Sequence, residues 1–366
     1  MGYSDEHANP LQRRPSASAS SGLRVVVMGG GTGLSTLLKG LKWYVNQSAD
    51  RPSTKPGEPE ISDLCAVVTV SDDGGSSGRL RQELNMLPPG DIRNCIVALS
   101  EDEALLSRLF QHRFAKGSGL QGHSFGNLFL AALTSITKDF SEAVRLSSEI
   151  LVTRGHIYPV TTANIELEAL MEDGTRVRGE TKITASNGRI KELFLIPHDV
   201  EPLPQTLEAI ARADLITIGP GSLFTSLIPN LLVRGIAKAL ASSAATKVYI
   251  CNLMTQANES IGRTAADHIR ALNSHAHSRI FDYALLNRKS ISDPLKAKYA
   301  LEGSTQVVVD QGAIKELGVI PVIGDYLDEG DVARHATDRI ARDLMKLAVQ
   351  ARSGQASNSK QHTTSG

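Results

Sequence analysis

The sequence has few cysteines, no cluster of basic residues and no long apolar run. Its three cysteines are widely spaced and lie in apolar segments, at Cys65, Cys95 and Cys251. That pattern is typical of buried thiols in a reducing cytosol and argues against a disulfide framework and a zinc site. The 39 basic residues balance the 39 acidic ones, and no group of Lys and Arg concentrates positive charge. A nucleic-acid partner is therefore not expected.

The lack of a long apolar run bears on location and domain organisation. No apolar run reaches about 18 residues and no secretory signal is present, so we expect a cytoplasmic protein without a membrane span. The chain of 366 residues is 41% hydrophobic, which is ample for a large core. Residues 1–22 and 353–366 are poor in apolar side chains. We expect disordered tails there, on either side of one α/β domain at 23–352.

A glycine-rich turn near the start of that domain is the strongest functional signal. Three valines at 25–27 predict a strand, and an apolar stripe from Leu34 to Val45 predicts a helix. Between them the chain could approach a ligand closely and offer helix N–H groups to phosphate. The G-x-G-x-x-G fingerprint fails at Thr36, and Lys39 lies too far into the helix for a Walker A loop. The alternative is a turn without a ligand. The candidate ligand-binding residues are Gly30, Gly31, Thr32, Gly33 and Lys39.

A second polar segment follows the buried strand predicted at 64–70. Two adjacent carboxylates, Asp72 and Asp73, could hold Mg²⁺, bind ribose hydroxyls or act as a base. Nearby hydroxyls and a guanidinium could bind phosphate, from Ser76, Ser77 and Arg79. In a doubly wound sheet, ligands lie at the carboxyl ends of strands, where this segment falls. The alternative is a solvated Asp-Gly turn.

Two further predicted helix starts carry candidate side chains. Asp91 stands where an N-cap belongs, so capping alone could explain it, whereas Asn94 lies one turn into the helix. His123 and Asn127 lie at the start of the helix predicted after 122. A short amide there can bind a base edge or a hydroxyl, whereas a lone histidine is more often structural.

The later half of the chain repeats the strand, glycine turn and helix. A strand at 215–218 runs into a second glycine loop, and a strand at 247–251 ends in polar residues. Two such loops in one sheet indicate a ligand with a long phosphate-bearing span, although each alone could be a capped helix start. The candidate residues are Gly219, Gly221, Ser222, Asn252 and Thr255.

The remaining segments complete a predicted α/β, Rossmann-like fold with a mostly parallel sheet flanked by helices. Alternating runs separated by Asp-Gly and Asn-Gly predict an antiparallel β-meander inserted at 155–197. Residues 283–287 and 306–310 are predicted as the last strands, and a final helix is predicted from about Val332 to Val349.

Five segments occur in one order and together resemble the YvcK branch of the CofD-like superfamily. They are 29–39, 71–79, 88–94, 122–127 and 219–222. The resemblance runs from about Leu23 to Leu347 and implies a Rossmann-like fold. It also implies that Tyr299 and Arg334 contact a nucleotide sugar, where a ring could stack on a base and a guanidinium could pair with diphosphate. At 257–258 this chain has Ala-Asn where the family more often has Pro-Gly.

The resemblance implies two candidate functions. Proteins of the YvcK branch are similar to one another as cytoplasmic binders of UDP-sugars, UDP-N-acetylglucosamine in particular, linked to cell shape and to growth on gluconeogenic carbon. CofD proteins are Mg²⁺-dependent transferases that move phospholactate from a guanylated carrier, and here Asp72 or Asp73 would hold the metal. A nicotinamide dehydrogenase rests on fold analogy alone. No obligatory cofactor is expected; the expected partners are a nucleotide sugar, a regulatory protein or kinase, and a second copy of the chain.

Overall fold

The protein is described by a computed structural model that covers residues 22–45, 59–101, 103–186 and 188–363, without the side chains of 103, 104, 106 and those from 354 onward. The strands are β1 (Leu23–Gly29), β2 (Ile61–Val68), β3 (His156–Pro159), β4 (Glu166–Met171), β5 (Arg176–Arg178), β6 (Ile190–Ile196), β7 (Leu215–Ile218), β8 (Thr246–Ile250), β9 (Tyr283–Asn287), β10 (Ile320–Gly324), β11 (Leu327–Glu329) and β12 (Ala333–His335).

The helices surround these strands. They are α1 (Gly31–Leu41), α2 (Gly75–Leu84), α3 (Gly90–Leu99), α4 (Glu103–Gln111), α5 (Phe125–Thr137), α6 (Phe140–Ile150), α7 (Glu180–Ala185), α8 (Pro204–Arg212), α9 (Ile228–Leu232), α10 (Ile236–Ser242), α11 (Ala265–His275), α12 (Asp293–Ala300), α13 (Gln311–Glu316) and α14 (Thr337–Thr363). A π-helical turn at Leu223–Leu227 precedes α9.

Seven strands form one parallel sheet in the order β10-β9-β8-β7-β1-β2-β3. The interior strand β1 is almost entirely buried because helices cover both faces of the sheet, as its run of valines predicts. On α1 the predicted stripe is buried against this sheet, at Leu34, Leu37, Leu38 and Leu41. The predicted Rossmann-like architecture is confirmed.

The inserted antiparallel sheet differs from the predicted meander in extent and order. Its strand order is β5-β4-β6, so β4 pairs with both neighbours and the chain returns through α7. The predicted insertion begins at 155, but β3 pairs in parallel with β2 and belongs to the main sheet. The Asp-Gly turn is present as predicted at Asp173–Gly174, where Asp173 bonds Thr175. Asn187, in the second predicted turn, lies outside the described residues.

The prediction of a last strand at 306–310 was wrong. Gln306 makes only an isolated bridge with Met254, and the seventh parallel strand is β10. Val307 is buried while Val308 is 62% exposed, and Asp310 bonds the first turn of α11. The β-branched run therefore packs as a connecting segment, because its end is tied to a helix rather than to a strand.

The final helix also begins later than predicted. Residues 333–335 form β12, which pairs antiparallel with β11, and α14 starts at Thr337. The helix continues to Thr363, past the position where a tail is predicted at 353–366, and no proline interrupts that segment. The predicted N-terminal tail lies, apart from Gly22, outside the described residues. Within the described ranges no single helix is long and apolar enough to cross a membrane, although Leu223–Leu232 and Ile236–Ser242 reach that length and composition as a bent pair.

Candidate functional site

The two glycine loops contact each other at the carboxyl edge of the sheet. Gly30 follows β1 in an extended conformation, and Gly31 starts α1 with a φ of 66°. In the second loop, after β7, Gly219 has a φ of 90°. A Cβ added at Gly33 would overlap the carbonyl oxygen of Pro220. Glycine at 33 therefore permits direct backbone contact between the loops. This role differs from the close approach to a ligand that the sequence predicts for the glycine turn.

A cleft of about 480 Å³ opens where the loops meet. It lies outside the carboxyl ends of β1, β7 and β8, which is the usual ligand position in an open α/β sheet. Nine of the predicted ligand-binding residues line it: Gly30, Gly31, Thr32, Gly33, Gly221, Ser222, Asn252, Thr255 and Tyr299. Residues that the sequence did not single out line it too, among them Ser226, Gln256, Glu302, Ser304 and His335.

Asn252 and Gln256 hold the second glycine loop in place. The Asn252 amide oxygen accepts the Gly221 N–H at 3.1 Å, and its nitrogen donates to the Gly221 carbonyl at 2.8 Å. Gln256 donates to the Ser222 hydroxyl at 2.9 Å. The Ser222 hydroxyl keeps its own proton to donate, because it accepts in that bond. Asn252 therefore shapes the loop through both of its polar atoms.

Asp91 bonds the neighbouring helix instead of capping its own. The N-cap of α3 is Pro89, and Asp91 lies in the first turn. Its carboxylate accepts the Gly31 N–H at 2.7 Å, which satisfies the first amide of α1. Burial raises the pKa of Asp91 to about 6, with Asp72 adding to the effect and the Gly31 bond opposing it. The alternative that Asp91 only caps its own helix was therefore wrong, because its carboxylate is used by the first amide of α1.

Asp72 and Asp73 lie beside this cleft at the end of β2. Asp72 accepts the Gly74 N–H at 2.9 Å. Asp73 accepts the Thr181 N–H at 2.9 Å and its hydroxyl at 2.5 Å, so it holds the first turn of α7. Asp73 thus joins the first half of the fold to the inserted segment.

The predicted side chains of α2, α3 and α5 bond mainly to one another. The Ser76 hydroxyl contacts His123 Nδ1 at 2.9 Å and accepts from Asn127 at 3.1 Å, and all three are buried. Burial lowers the pKa of His123. Arg79 donates to the Gln121 carbonyl at 2.7 Å, and the Asn94 amide accepts from Arg93 at 2.8 Å. None of these five predicted side chains lines the cleft, so their polar groups are used in holding the helices together.

Four other predicted residues lie outside the cleft lining. Ser77 is buried against Gly90, and Gly219 is packed so closely that a Cβ would lie 2.7 Å from the Ile250 carbonyl. Lys39 is exposed on α1. Arg334 is exposed on β12, between Ala333 and His335, which do line the cleft.

Tyr299 and the 257–258 segment are explained by backbone contacts. The Tyr299 hydroxyl accepts the Ala333 N–H at 3.1 Å, so the ring forms the cleft wall next to β12. Asn258 has a φ of 63° and donates to the Thr184 carbonyl at 2.9 Å. Asparagine tolerates this left-handed conformation, so Ala-Asn can replace the Pro-Gly of the family.

Sequence reasoning missed two carboxylates near the site. Glu259 is 4% exposed and bonds the start of the helical segment after the second glycine loop. Burial raises the pKa of Glu180 to about 8, with Asp72, Asp91 and Asp73 adding to the effect. Glu259 follows the polar end of β8 and could have been noticed there. Glu180 gives no local signal, since only the fold brings it beside the other acids.

The chemistry of these acids fits Mg²⁺ in part. No group of three or more His, Cys, Asp or Glu residues in the described ranges is arranged to hold a metal. Mg²⁺, however, often uses only one or two protein carboxylates together with ligand phosphates and water. Asp72, with one oxygen outside its turn, suits that role, whereas one Asp73 oxygen is committed to Thr181.

A larger hollow of about 870 Å³ lies elsewhere, between α6 and the edge strand β3. It contains Arg145, which is paired with Glu142 and Glu149 on the same helix, and it has no glycine loop. Size alone would favour it. The smaller cleft is the better candidate, because backbone amides, hydroxyls and strand ends converge there.

Comparison with known proteins shows the family of the chain. The sequence model of the family described as 2-phospho-L-lactate transferase CofD matches residues 25–327. A protein named gluconeogenesis factor from Halalkalibacterium halodurans is 50% identical over 324 residues, which are 88% of this chain and 95% of that protein. A protein of the same name from Bacillus subtilis is 48% identical over 326 residues, which are 88% of this chain and 98% of that protein.

A solved structure shows the same fold. A crystal structure described as a member of the UPF0052 family from Bacillus halodurans is 49% identical and superposes with a TM-score of 0.82. The match covers 89% of this chain and 99% of that chain.

Proposed function

The chain belongs to the CofD family, and on that premise we propose that it is a gluconeogenesis factor that binds a nucleotide sugar in the cleft between its glycine loops. The ligand we propose is UDP-N-acetylglucosamine or a close analogue. The protein would act in the cytoplasm as a regulator of carbon metabolism and cell shape, with ligand occupancy sensed by a regulatory protein or kinase.

One observation carries this proposal: two phosphate-type loops, far apart in the chain, line the same cleft. Thr32 and Ser222 place hydroxyls on opposite loops, and Tyr299 supplies an aromatic wall. A diphosphate could be held between the hydroxyls and the first turn of α1, while a base stacks on the ring. The amides of Gly31 and Gly221 already bond Asp91 and Asn252, so the hydroxyls would carry most of the contacts.

The proposal is tested by ligand-induced stabilisation. We expect UDP-N-acetylglucosamine to raise the melting temperature, because a ligand that binds only the folded state stabilises it by mass action. The double variant Thr32→Val with Ser222→Ala should weaken the affinity roughly tenfold or more, since two charge-assisted hydrogen bonds are lost. Arg334→Ala should weaken it as well if the side chain reaches the diphosphate across the rim.

Ser242→Ala is the matched control, because Ser242 is exposed at the end of α10, outside the cleft lining. Its melting shift should equal that of the wild type. If UDP-sugars do not shift the melting temperature of folded wild-type protein, the proposal is contradicted.

The second candidate is a CofD-like transferase acting on a nucleotide-diphosphate-linked substrate. The observation that favours it is the group of acids beside the cleft, Asp72, Asp91 and Glu180. Asp72 would then hold Mg²⁺, which would neutralise charge on the transferred group. A melting shift with GDP and Mg²⁺, but none with UDP-sugars, would favour this function, and Asp72→Asn should then remove the Mg²⁺ dependence.

A further inference from the structure

A buried carboxylate outside the cleft lining bonds the helical turn that follows the second glycine loop. Glu259 lies in the segment after β8 and is 4% exposed. One of its oxygens accepts the Phe224 N–H at 3.2 Å, and the other accepts the Thr225 hydroxyl at 2.8 Å. Both donors belong to the π-helical turn at Leu223–Leu227, directly after the loop.

These bonds replace the cap that the loop itself does not supply. The first N–H groups of a helical segment have no partner within it, and a serine at the N-cap is the usual acceptor. Ser222 occupies that position but makes no side-chain cap bond. Because Glu259 takes the amide of Phe224, the Ser222 hydroxyl is left to face the cleft.

The same segment also orients that hydroxyl. Gln256 donates to Ser222 at 2.9 Å, and the Gln256 N–H donates to the Ser260 hydroxyl at 2.9 Å. The stretch 255–260 therefore makes two contacts here, one from Gln256 to Ser222 in the loop and one from Glu259 to the helical turn that follows it. A loop held at both points needs less ordering when a ligand enters.

We propose that Glu259 is a positioning residue, whose carboxylate fixes the turn after the second glycine loop so that the Ser222 hydroxyl faces the ligand. This inference rests on the proposed function and adds to it the group that preorganises one side of the diphosphate site. Glu259 acts through Phe224 and Thr225 and does not touch the ligand.

The test compares two substitutions of similar size. Glu259→Leu removes both acceptors and leaves the Phe224 N–H and the Thr225 hydroxyl unpaired. Glu259→Gln keeps an oxygen for the Phe224 N–H, and its amide can donate to the Thr225 oxygen instead. By isothermal titration with UDP-N-acetylglucosamine, we expect the Leu variant to bind about tenfold more weakly and the Gln variant to bind within about threefold of the wild type.

The comparison of the Leu and Gln variants separates a positioning role of Glu259 from a merely structural one. If Glu259 only stabilised the fold, the Leu variant would melt earlier without ligand, but its folded molecules would bind with unchanged affinity. Equal affinity of the Leu variant and the wild type would therefore overturn the inference. A wild type that binds no nucleotide sugar would instead overturn the proposed function, and this inference with it.

Thr225→Val is a second test of the same inference, for use if Glu259→Leu does not fold. The substitution removes one donor to Glu259 while keeping the shape of the side chain, and Thr225 does not line the cleft. We expect an affinity about three- to tenfold weaker than that of the wild type. Wild-type affinity in this variant would count against the inference.

Discussion

At the scale of single residues, the polar side chains near the site have two different roles. Ser222 and Thr32 face the cleft, whereas Asn252 and Asp91 hold the backbone that shapes it. The sequence predicts that these residues lie near one another, because strand ends and glycine turns are local signals. It does not distinguish a ligand contact from a loop clamp, since that depends on the partner each atom meets in the fold.

The sequence likewise gives no local signal that His268 is buried, and this burial leads to a prediction about pH. His268 is buried, and its Nδ1 contacts the Tyr249 hydroxyl at 2.9 Å. Burial lowers the pKa of His268 from 6.5 to about 4, with Arg263 adding to the effect. Between these values the unfolded chain binds more protons than the folded protein, so the free energy of unfolding falls as the pH falls.

We expect the burial of His268 to lower the free energy of unfolding by about 2 kcal/mol when the pH falls from 7 to 4.5. The measurement is denaturant unfolding of the wild type and of His268→Gln at both pH values. The variant should be less stable than the wild type at pH 7, and this difference in the free energy of unfolding should shrink or reverse at pH 4.5. A gap that does not change with pH would show that His268 is not held neutral.

At the scale of elements, the two glycine loops act as one unit because they pack against each other. The sequence predicts both loops, but the overlap between a Cβ at 33 and the Pro220 carbonyl follows only from the strand order, which places β7 beside β1. Strand order was not predicted, and the segment at 306–310 shows why. Its β-branched residues favour a strand, but the bonds from Asp310 to the first turn of α11 decide its place.

Gly33→Ala tests the contact between the loops. The added methyl would push the second loop away, so we expect a loss of about 2–4 kcal/mol in the free energy of unfolding and no melting shift with UDP-N-acetylglucosamine. Gly312→Ala is the matched control, since Gly312 lies in α13 with no atom within 4 Å of an added Cβ. That variant should be neutral or stabilised by about 0.5–1 kcal/mol. Equal stability of the two variants would mean that the loops separate without cost.

At the scale of the whole molecule, the inserted sheet belongs to the main core. Leu167 and Leu193 of the insertion share one buried cluster with Val26 of β1. The Leu193 N–H donates to His275 Nε2 at 3.0 Å, which ties β6 to α11. The hydrophobic alternation predicts these strands, but nothing local predicts that their inner face joins the parallel sheet.

We therefore expect the insertion to unfold together with the parallel sheet. In native-state hydrogen exchange with increasing denaturant, the amides of β4 and β6 should open with the same free energy as those of β1, because a shared core makes one cooperative unit. His275→Ala removes the acceptor of the Leu193 N–H and should lower the opening free energy of β6 by about 1–3 kcal/mol below that of β1. His277→Asn is the control, since His277 is exposed and its left-handed φ of 50° suits asparagine. Wild-type amides of β6 that open well below the global free energy would instead make the insertion an independent unit, despite the hydrogen bonds that Asp73, Asn258 and Arg263 make to it.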